Sequence, residues 1–136
     1  MATPEKDSTH WLYRLSVDEW LAAADNELTL CEAALARRAF RPGVTHARRA
    51  AGMAWNAALV RQQPLDERYG RSYMEHVAAL ATDEGAPDDV RQAARDLRDT
   101  PAAPPALITL GKPNLQPLES ARHLVAYARQ RATPTN

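Results

Sequence analysis

The stretch that decides the fold covers residues 16–60 and reads SVDEWLAAADNELTLCEAALARRAFRPGVTHARRAAGMAWNAALV. Its first four residues, SVDE, form a capping box, in which a serine and a glutamate three positions later satisfy each other's backbone N–H groups. Leu15 before the cap and Trp20 in the first turn complete a hydrophobic staple. The pattern predicts a helix that begins directly after Ser16.

An apolar stripe continues this first helix to about Arg38. Its members recur at intervals of three and four residues, as expected for one buried face of a helix. Cys31 lies inside the stripe, and we therefore predict a core residue and not a nucleophile. The stripe consists of Leu21, Ala24, Leu28, Cys31 and Leu35.

A second helix is expected from near Thr45 to about Gln62, after a break at residues 40–43 (FRPG). One side of it is lined with small residues, which allow a neighbouring helix to approach closely. Gly52 costs about 1 kcal/mol relative to alanine inside a helix. Its presence predicts either tight packing at that point or a close contact across a dimer. The small face consists of Ala47, Ala50, Ala51, Ala54 and Ala58, followed by Leu59.

The remaining chain predicts three more helical segments. One begins between Leu65 and Arg71, one is opened by Pro87, and one covers about residues 118–131. A proline-rich connection, residues 100–117, precedes the last of them, and Leu107, Ile108 and Leu110 suggest that it lies against the bundle. We predict an all-α fold, a four- to five-helix bundle built on an antiparallel hairpin of helices one and two. It forms a single domain over residues 16–131, with an N-terminal extension (1–15) and a frayed tail (132–136).

Composition restricts the function classes. Seventeen basic and seventeen acidic residues cancel in a chain of 136, so net charge indicates neither a nucleic-acid nor a membrane partner, and any anion site must be local. One cysteine and no Cys/His cluster predict no disulfide, no metal and no cofactor. No window approaches the ~18 apolar residues of a membrane helix, and no signal peptide is visible. We expect a cytoplasmic protein.

The span 16–60 resembles the first two helices of HEPN domains, the higher-eukaryote and prokaryote nucleotide-binding bundles. In that family a helix of the type eWLekAeeeL leads through a short turn to a small-residue helix of the type ArrAaYYAmfhaa.ALL. The residues that match the first pattern are Trp20, Leu21, Ala24, Glu27, Leu28, Leu35 and Phe40, and those that match the second are Ala47, Ala50, Ala51, Ala54, Ala58 and Leu59.

The resemblance implies a site at Arg71 and His76. Catalytic members of the family carry an arginine, four to six residues and a histidine near the start of a later helix, and this chain has that spacing in that place. There the histidine assists attack of the RNA 2'-hydroxyl without metal while the arginine neutralises the phosphate. The family dimerises so that two pairs share one cleft. Ser72 and Tyr73 would then contact substrate, although catalytic members often have Asn, Asp or His at the position of Ser72.

The spacing itself is a weak signal in a chain so rich in arginine. Arg41 and His46 match it equally well but lie between the first two helices, where the family has no site. The alternative interpretation of Arg71 and His76 is an exposed pair on a solvated helix face. Near His46, Arg48 and Arg49 lie at the positive end of the second helix, where they either hold an anion or form its solvated side.

Two functions therefore stay open. The first is a HEPN-like RNA- or nucleotide-binding protein, with a metal-independent endoribonuclease of toxin or stress type as its catalytic form, acting as a homodimer through Arg71 and His76. The second is a non-catalytic HEPN-like module that dimerises or binds a protein partner such as a nucleotidyltransferase. Five residues along a regular helix separate two side chains by ~140°. The first function therefore requires that Arg71 lie in the turn before its helix or that a second subunit supply its own copy of the pair.

Overall fold

The computed structural model describes residues 11–62, 67–101 and 114–133, which form five α-helices, two short 3-10 helices and no strand. An all-α bundle is therefore confirmed in these ranges. Residues 1–10, 63–66, 102–113 and 134–136 lie outside them, and so does the prediction that Leu107, Ile108 and Leu110 lie against the bundle. The helices are α1 (Val17–Ala36), α2 (Phe40–Arg61), α3 (Tyr73–Thr82), α4 (Asp88–Asp99) and α5 (Gln116–Ala132), with 3-10 turns at Trp11–Arg14 and Glu67–Tyr69.

The start of α1 agrees with the prediction. Glu19 N–H donates to Ser16 Oγ at 3.1 Å, and Ser16 N–H donates to Glu19 Oε1 at 3.0 Å. The Trp20 indole N–H donates to the carbonyl of Leu12 at 2.9 Å, and Leu12 is completely buried. The end of the N-terminal extension is thus part of the core.

The start of α2 differs from the prediction. The helix begins at Phe40, five residues before Thr45, and Pro42 lies in its first turn. A proline is tolerated there because the N–H groups of the first turn have no partner within the helix. The expected break at residues 40–43 was therefore wrong.

The chain reverses instead at residues 37–39. Arg38 has a left-handed backbone with φ +63°, which in most helix ends is the position of a glycine. Two hydrogen bonds close the turn, from Arg38 N–H to Leu35 O at 3.0 Å and from Ala39 N–H to Ala34 O at 2.8 Å. This is the Schellman pattern, and it turns α2 back along α1.

Helix α2 is the centre of the bundle. It contacts α1, α3, α4 and α5, and every residue from Ala54 to Val60 is buried, as expected of a helix surrounded by others. Gly52 faces α3, where an added Cβ would lie 2.6 Å from the Cα of Tyr73. The tight packing predicted at Gly52 is thus present within one chain. Cys31 is a buried core residue, as predicted, and Trp20 and Trp55 are also buried.

The later helices complete the bundle around α2. α3 lies against α4, and α4 lies against α5. α5 begins at Gln116, two residues earlier than predicted, with Pro117 buried in its first turn. In the described ranges, no helix combines the length and apolarity that crossing a bilayer requires.

Candidate functional site

Arg71 lies in the turn that leads into α3. Gly70 adopts φ +66°, and Ser72 is the N-cap, with its hydroxyl accepting the N–H of Glu75 at 3.0 Å. The side chain of Arg71 is exposed. The arginine therefore lies where convergence with a histidine on the first turns of α3 requires it.

His76 points into the bundle from the second turn of α3. Its exposed fraction is 0%. Ring atom Nδ1 lies 2.5 Å from the carbonyl oxygen of Tyr69, and Nε2 lies 2.7 Å from Oδ1 of Asn56 on α2. The interpretation of Arg71 and His76 as a pair on a solvated face is wrong for His76. The ring instead connects α3 to the central helix.

Tyr69 is held in place from several sides. Its side chain is buried, its hydroxyl donates to the carboxylate of Asp83, and its ring centroid lies 4.9 Å from that of Trp55. The contacts of the Tyr69 side chain with Asp83 and Trp55 therefore fix the position of the Tyr69 carbonyl that faces His76 Nδ1. The histidine has little freedom to turn away from this acceptor.

The protonation state of His76 follows from its neighbours. Burial lowers its pKa, against smaller opposing effects of the Tyr69 carbonyl and the Glu75 carboxylate, and this favours the neutral ring. A neutral ring donates from one nitrogen and accepts at the other. Nδ1 faces a carbonyl and carries the hydrogen, so Nε2 needs a donor. The side-chain amide of Asn56 supplies this donor when its nitrogen faces the ring, and that orientation also gives the buried amide nitrogen a hydrogen-bond partner.

The residues expected to contact substrate have structural partners here. Ser72 caps α3, as described above. Tyr73 lies half-buried against Gly52, and burial raises the pKa of its phenol, with nearby Arg49 opposing this and Glu27 adding to it. These side chains do not line a common open cleft with His76, because His76 is sealed from solvent.

Arg48 binds the end of α4. Its guanidinium donates to the carbonyls of Leu97 at 3.1 Å, Arg98 at 3.3 Å and Thr100 at 2.7 Å. The carbonyls of Leu97 and Arg98 belong to the last turn of α4, where no intrahelical donor is available, and Thr100 is the C-cap residue. Burial lowers the pKa of Arg48. The side chain therefore caps a helix that lacks a C-terminal glycine.

A polar cluster on Glu27 joins the first two helices. Glu27 is only 6% exposed, with one carboxylate oxygen 2.5 Å from His46 Nδ1 and the other 3.2 Å from an Arg49 nitrogen. An anion site and a solvated helix side were the two alternatives predicted near His46. His46 and Arg49 contact an anionic group, and that group is the Glu27 side chain of the protein itself. This role of Glu27 was not predicted, although Glu27 lies three residues after Ala24 and four before Cys31, inside the apolar stripe of α1.

Metal or thiol chemistry finds no support in the described ranges. They contain no group of three or more His, Cys, Asp or Glu side chains that could hold a metal ion. Burial raises the pKa of the Cys31 thiol to about 11, so it is protonated at neutral pH and unreactive.

Comparison with known proteins does not show a family for this chain. No family model, no curated protein and no solved structure matches the chain.

Proposed function

We propose that the chain is a non-catalytic helical module of HEPN type that acts by binding a second copy of itself or a protein partner. The observation that supports this choice over a nuclease is the environment of His76. The ring is fully buried, and its two nitrogens lie against the Tyr69 carbonyl and the side-chain amide of Asn56. The residue that would carry catalysis has a structural role inside the bundle.

A catalytic role would require His76 to lie within hydrogen-bonding distance of the substrate. A general base must lie within about 2.6–3.2 Å of the group that it deprotonates, directly or through one water. To meet an RNA 2'-hydroxyl, His76 would have to leave Asn56 and the Tyr69 carbonyl. That would leave buried polar groups unpaired, at a cost of about 1–3 kcal/mol for each.

The surface favours a polar interface with the partner. In the described ranges the large apolar side chains classed as exposed are Leu30 and Leu115. Arg37 and Arg41, near the turn between α1 and α2, are exposed and form no ion pair with any described residue. A partner with an acidic surface fits this end of the hairpin. The resemblance to HEPN proteins suggests a nucleotidyltransferase as one such partner.

The second candidate is the metal-independent ribonuclease, and the observation in its favour is Arg71. It is exposed in the turn before α3, beside a glycine with positive φ. In this alternative, a homodimer would bring two copies of Arg71 and His76 to one cleft, and α3 would have to rearrange to expose the histidine.

An RNA-cleavage assay separates the two candidates. Purified protein is incubated with structured RNA in EDTA, beside Arg71→Ala and Arg71→Ala/His76→Ala variants. Arg37→Ala, another exposed arginine, is the matched control, and circular dichroism verifies that each variant is folded. We expect no cleavage above buffer. Cleavage that Arg71→Ala abolishes and Arg37→Ala retains would establish the nuclease and refute the proposal.

Sedimentation equilibrium then tests the binding function itself. A dimer whose dissociation constant rises in an Arg37→Glu/Arg41→Glu variant would assign the hairpin turn as the interface between copies. If the protein stays monomeric at all concentrations, the proposed binding function must involve a different protein as the partner. RNA cleavage by that monomer would contradict both.

A further inference from the structure

The polar cluster on Glu27 presents a histidine nitrogen to solvent. His46 lies in the second turn of α2, with its Nδ1 against Glu27 on α1 and its side chain 24% exposed. Its other ring nitrogen, Nε2, has no hydrogen-bond partner among the described residues. Nε2 is also not one of the side-chain atoms that are both sealed from solvent and unpaired. This nitrogen is therefore open to solvent.

The contact with Glu27 determines the chemistry of the open nitrogen. A neutral imidazole donates from one nitrogen and accepts at the other. Nδ1 faces a carboxylate oxygen at 2.5 Å and carries the hydrogen, so the lone pair of His46 lies on Nε2. A carboxylate that accepts from one ring nitrogen also orients the ring and makes the other nitrogen more basic. A nucleophile whose ring is oriented by a further group is the usual arrangement of an activated side chain.

Arg49 adds a positive charge beside this nitrogen. It follows His46 by three residues, so the two side chains are neighbours on one face of α2. Its guanidinium lies 3.2 Å from the second oxygen of Glu27, and its side chain is 47% exposed. Glu27 is the acceptor that the described residues supply for this guanidinium, and arginine has five N–H donors. Donors therefore remain for the oxygens of a phosphoryl group, which arginine binds well.

His123 on α5 lacks this arrangement and provides a comparison. Its side chain is more exposed, at 43%, and its Nε2 lies 2.7 Å from a carboxylate oxygen of Asp89. Asp89 is itself 65% exposed, and among the described residues no arginine forms an ion pair with it. Exposure alone would therefore make His123 the more reactive histidine, whereas the contacts with Glu27 and Arg49 favour His46.

We propose that His46 accepts a phosphoryl group at Nε2 from a small acyl phosphate. The Nε2 lone pair attacks phosphorus, the bond between phosphorus and the acyl oxygen breaks, and the carboxylate leaves with the bonding electron pair. The Nδ1 hydrogen stays in the hydrogen bond to Glu27, whose carboxylate balances the positive charge of the phosphorylated ring. Arg49 neutralises the phosphoryl oxygens. The group stays on the protein, so this is a modification site, and it does not depend on the partner binding proposed above.

The alternative role of the cluster is purely structural. A protonated His46 and Glu27 would form an ion pair that ties α1 to α2. A protonated imidazole carries hydrogen on both nitrogens, so it has no lone pair with which to attack. The two roles therefore predict different reactivity for His46.

The test incubates the folded protein with acetyl phosphate at mildly alkaline pH, because phosphorylated imidazole is labile in acid. Intact mass and peptide mapping then show which of the four histidines gains a phosphoryl group, and how fast. We expect His46 to react at least about tenfold faster than the more exposed His123. Acetyl phosphate offers an acyl carbon as well as phosphorus, so the same spectra show which of the two His46 attacks.

Charge-matched variants complete the test. Arg49→Gln should slow phosphorylation of His46 at least about fivefold, whereas Arg61→Gln, which removes an exposed charge at the other end of α2, should change it less than about twofold. Glu27→Gln should also slow it, and circular dichroism verifies that this variant is folded. The proposal would be overturned by an unmodified or acetylated His46, by equal rates at His46 and His123, or by equal rates in Arg49→Gln and Arg61→Gln.

Discussion

Replacing Gly52 by alanine tests how closely α2 and α3 approach. At an ordinary helix position this change stabilises a protein by about 1 kcal/mol. Here the added Cβ would lie 2.6 Å from the Cα of Tyr73, whereas carbon atoms in contact prefer about 3.5–4.0 Å. The helices must therefore separate by roughly 1 Å. No side-chain rotation relieves this contact, because the Tyr73 atom belongs to the backbone.

The expected net effect is a loss of stability. Overpacking of a well-packed core costs about 1–3 kcal/mol, and moving α3 also strains the His76 contact with Asn56. Subtracting the ~1 kcal/mol gain in helix propensity leaves a loss of about 0–2 kcal/mol. Because the strain at His76 adds to it, we expect Gly52→Ala to lower the free energy of unfolding by an amount in the upper half of that range, about 1–2 kcal/mol. Urea unfolding followed by circular dichroism measures this change.

Gly85→Ala is the matched control. Gly85 lies in the turn between α3 and α4, where a Cβ would meet only a side-chain oxygen of Asp83, at 3.2 Å. We expect its stability to stay within about 0.5 kcal/mol of the wild type. If Gly52→Ala proved as stable as the wild type, or more stable, the close contact between α2 and α3 would be refuted.

Three further changes test individual contacts. Because burial lowers the pKa of His76, its contribution to stability should be complete above pH 6.5 and should fall below that pH by up to about 1.4 kcal/mol per pH unit. Urea unfolding at pH 7.5 and 5.5 should therefore show a smaller loss of stability in His76→Gln than in the wild type. Equal losses in the two proteins would contradict a buried neutral ring. At Arg38, which has a left-handed backbone, the Arg38→Gly variant should be more stable than Arg38→Ala by about 1 kcal/mol. At Arg37, with φ −92°, the alanine variant should be at least as stable as the glycine variant. If thermal unfolding gave the same order at both sites, the turn geometry would be refuted. Arg48→Lys keeps the charge but loses the planar guanidinium that binds three carbonyls, so it should lower the free energy of unfolding by about 1–2 kcal/mol. The matched change Arg49→Lys, at a half-exposed side chain, should lower it by less than about 0.5 kcal/mol. Similar chemical-denaturation midpoints for the two variants would exclude the cap.

The features that sequence patterns predicted depend on neighbouring residues. The capping box at residues 16–19 and the stripe through Cys31 involve positions within one or two helical turns, so spacing alone determines them. The small-residue face around Gly52 predicted close packing, because only a neighbouring backbone makes a glycine useful there. The start of α2 was misplaced because Pro42 was interpreted as a breaker, although a first turn tolerates it.

The features that sequence patterns missed depend on distant partners. His76 is buried through Asn56, which is twenty residues away on another helix. Arg48 finds its acceptors about fifty residues further along the chain. Such pairings follow from how helices are arranged in space, and hydrophobic periodicity does not specify which polar side chains meet. The third helix was predicted to begin between Leu65 and Arg71 but begins at Tyr73. Arg71 thus lies in the preceding turn, as the nuclease hypothesis required, whereas the orientation of His76 was not predicted.

The contact between Arg48 and the end of α4 has a consequence for the order of local unfolding. Helix ends normally fray before the rest of a protein opens, and their amide hydrogens then exchange rapidly with solvent. In α4 the last carbonyls are bound by the side chain of Arg48 on the central helix. This end of α4 can therefore open only when the hydrogen bonds of the Arg48 guanidinium break. We therefore expect the amides of residues 96–99 to exchange together with those in the middle of α2, as one cooperative unit.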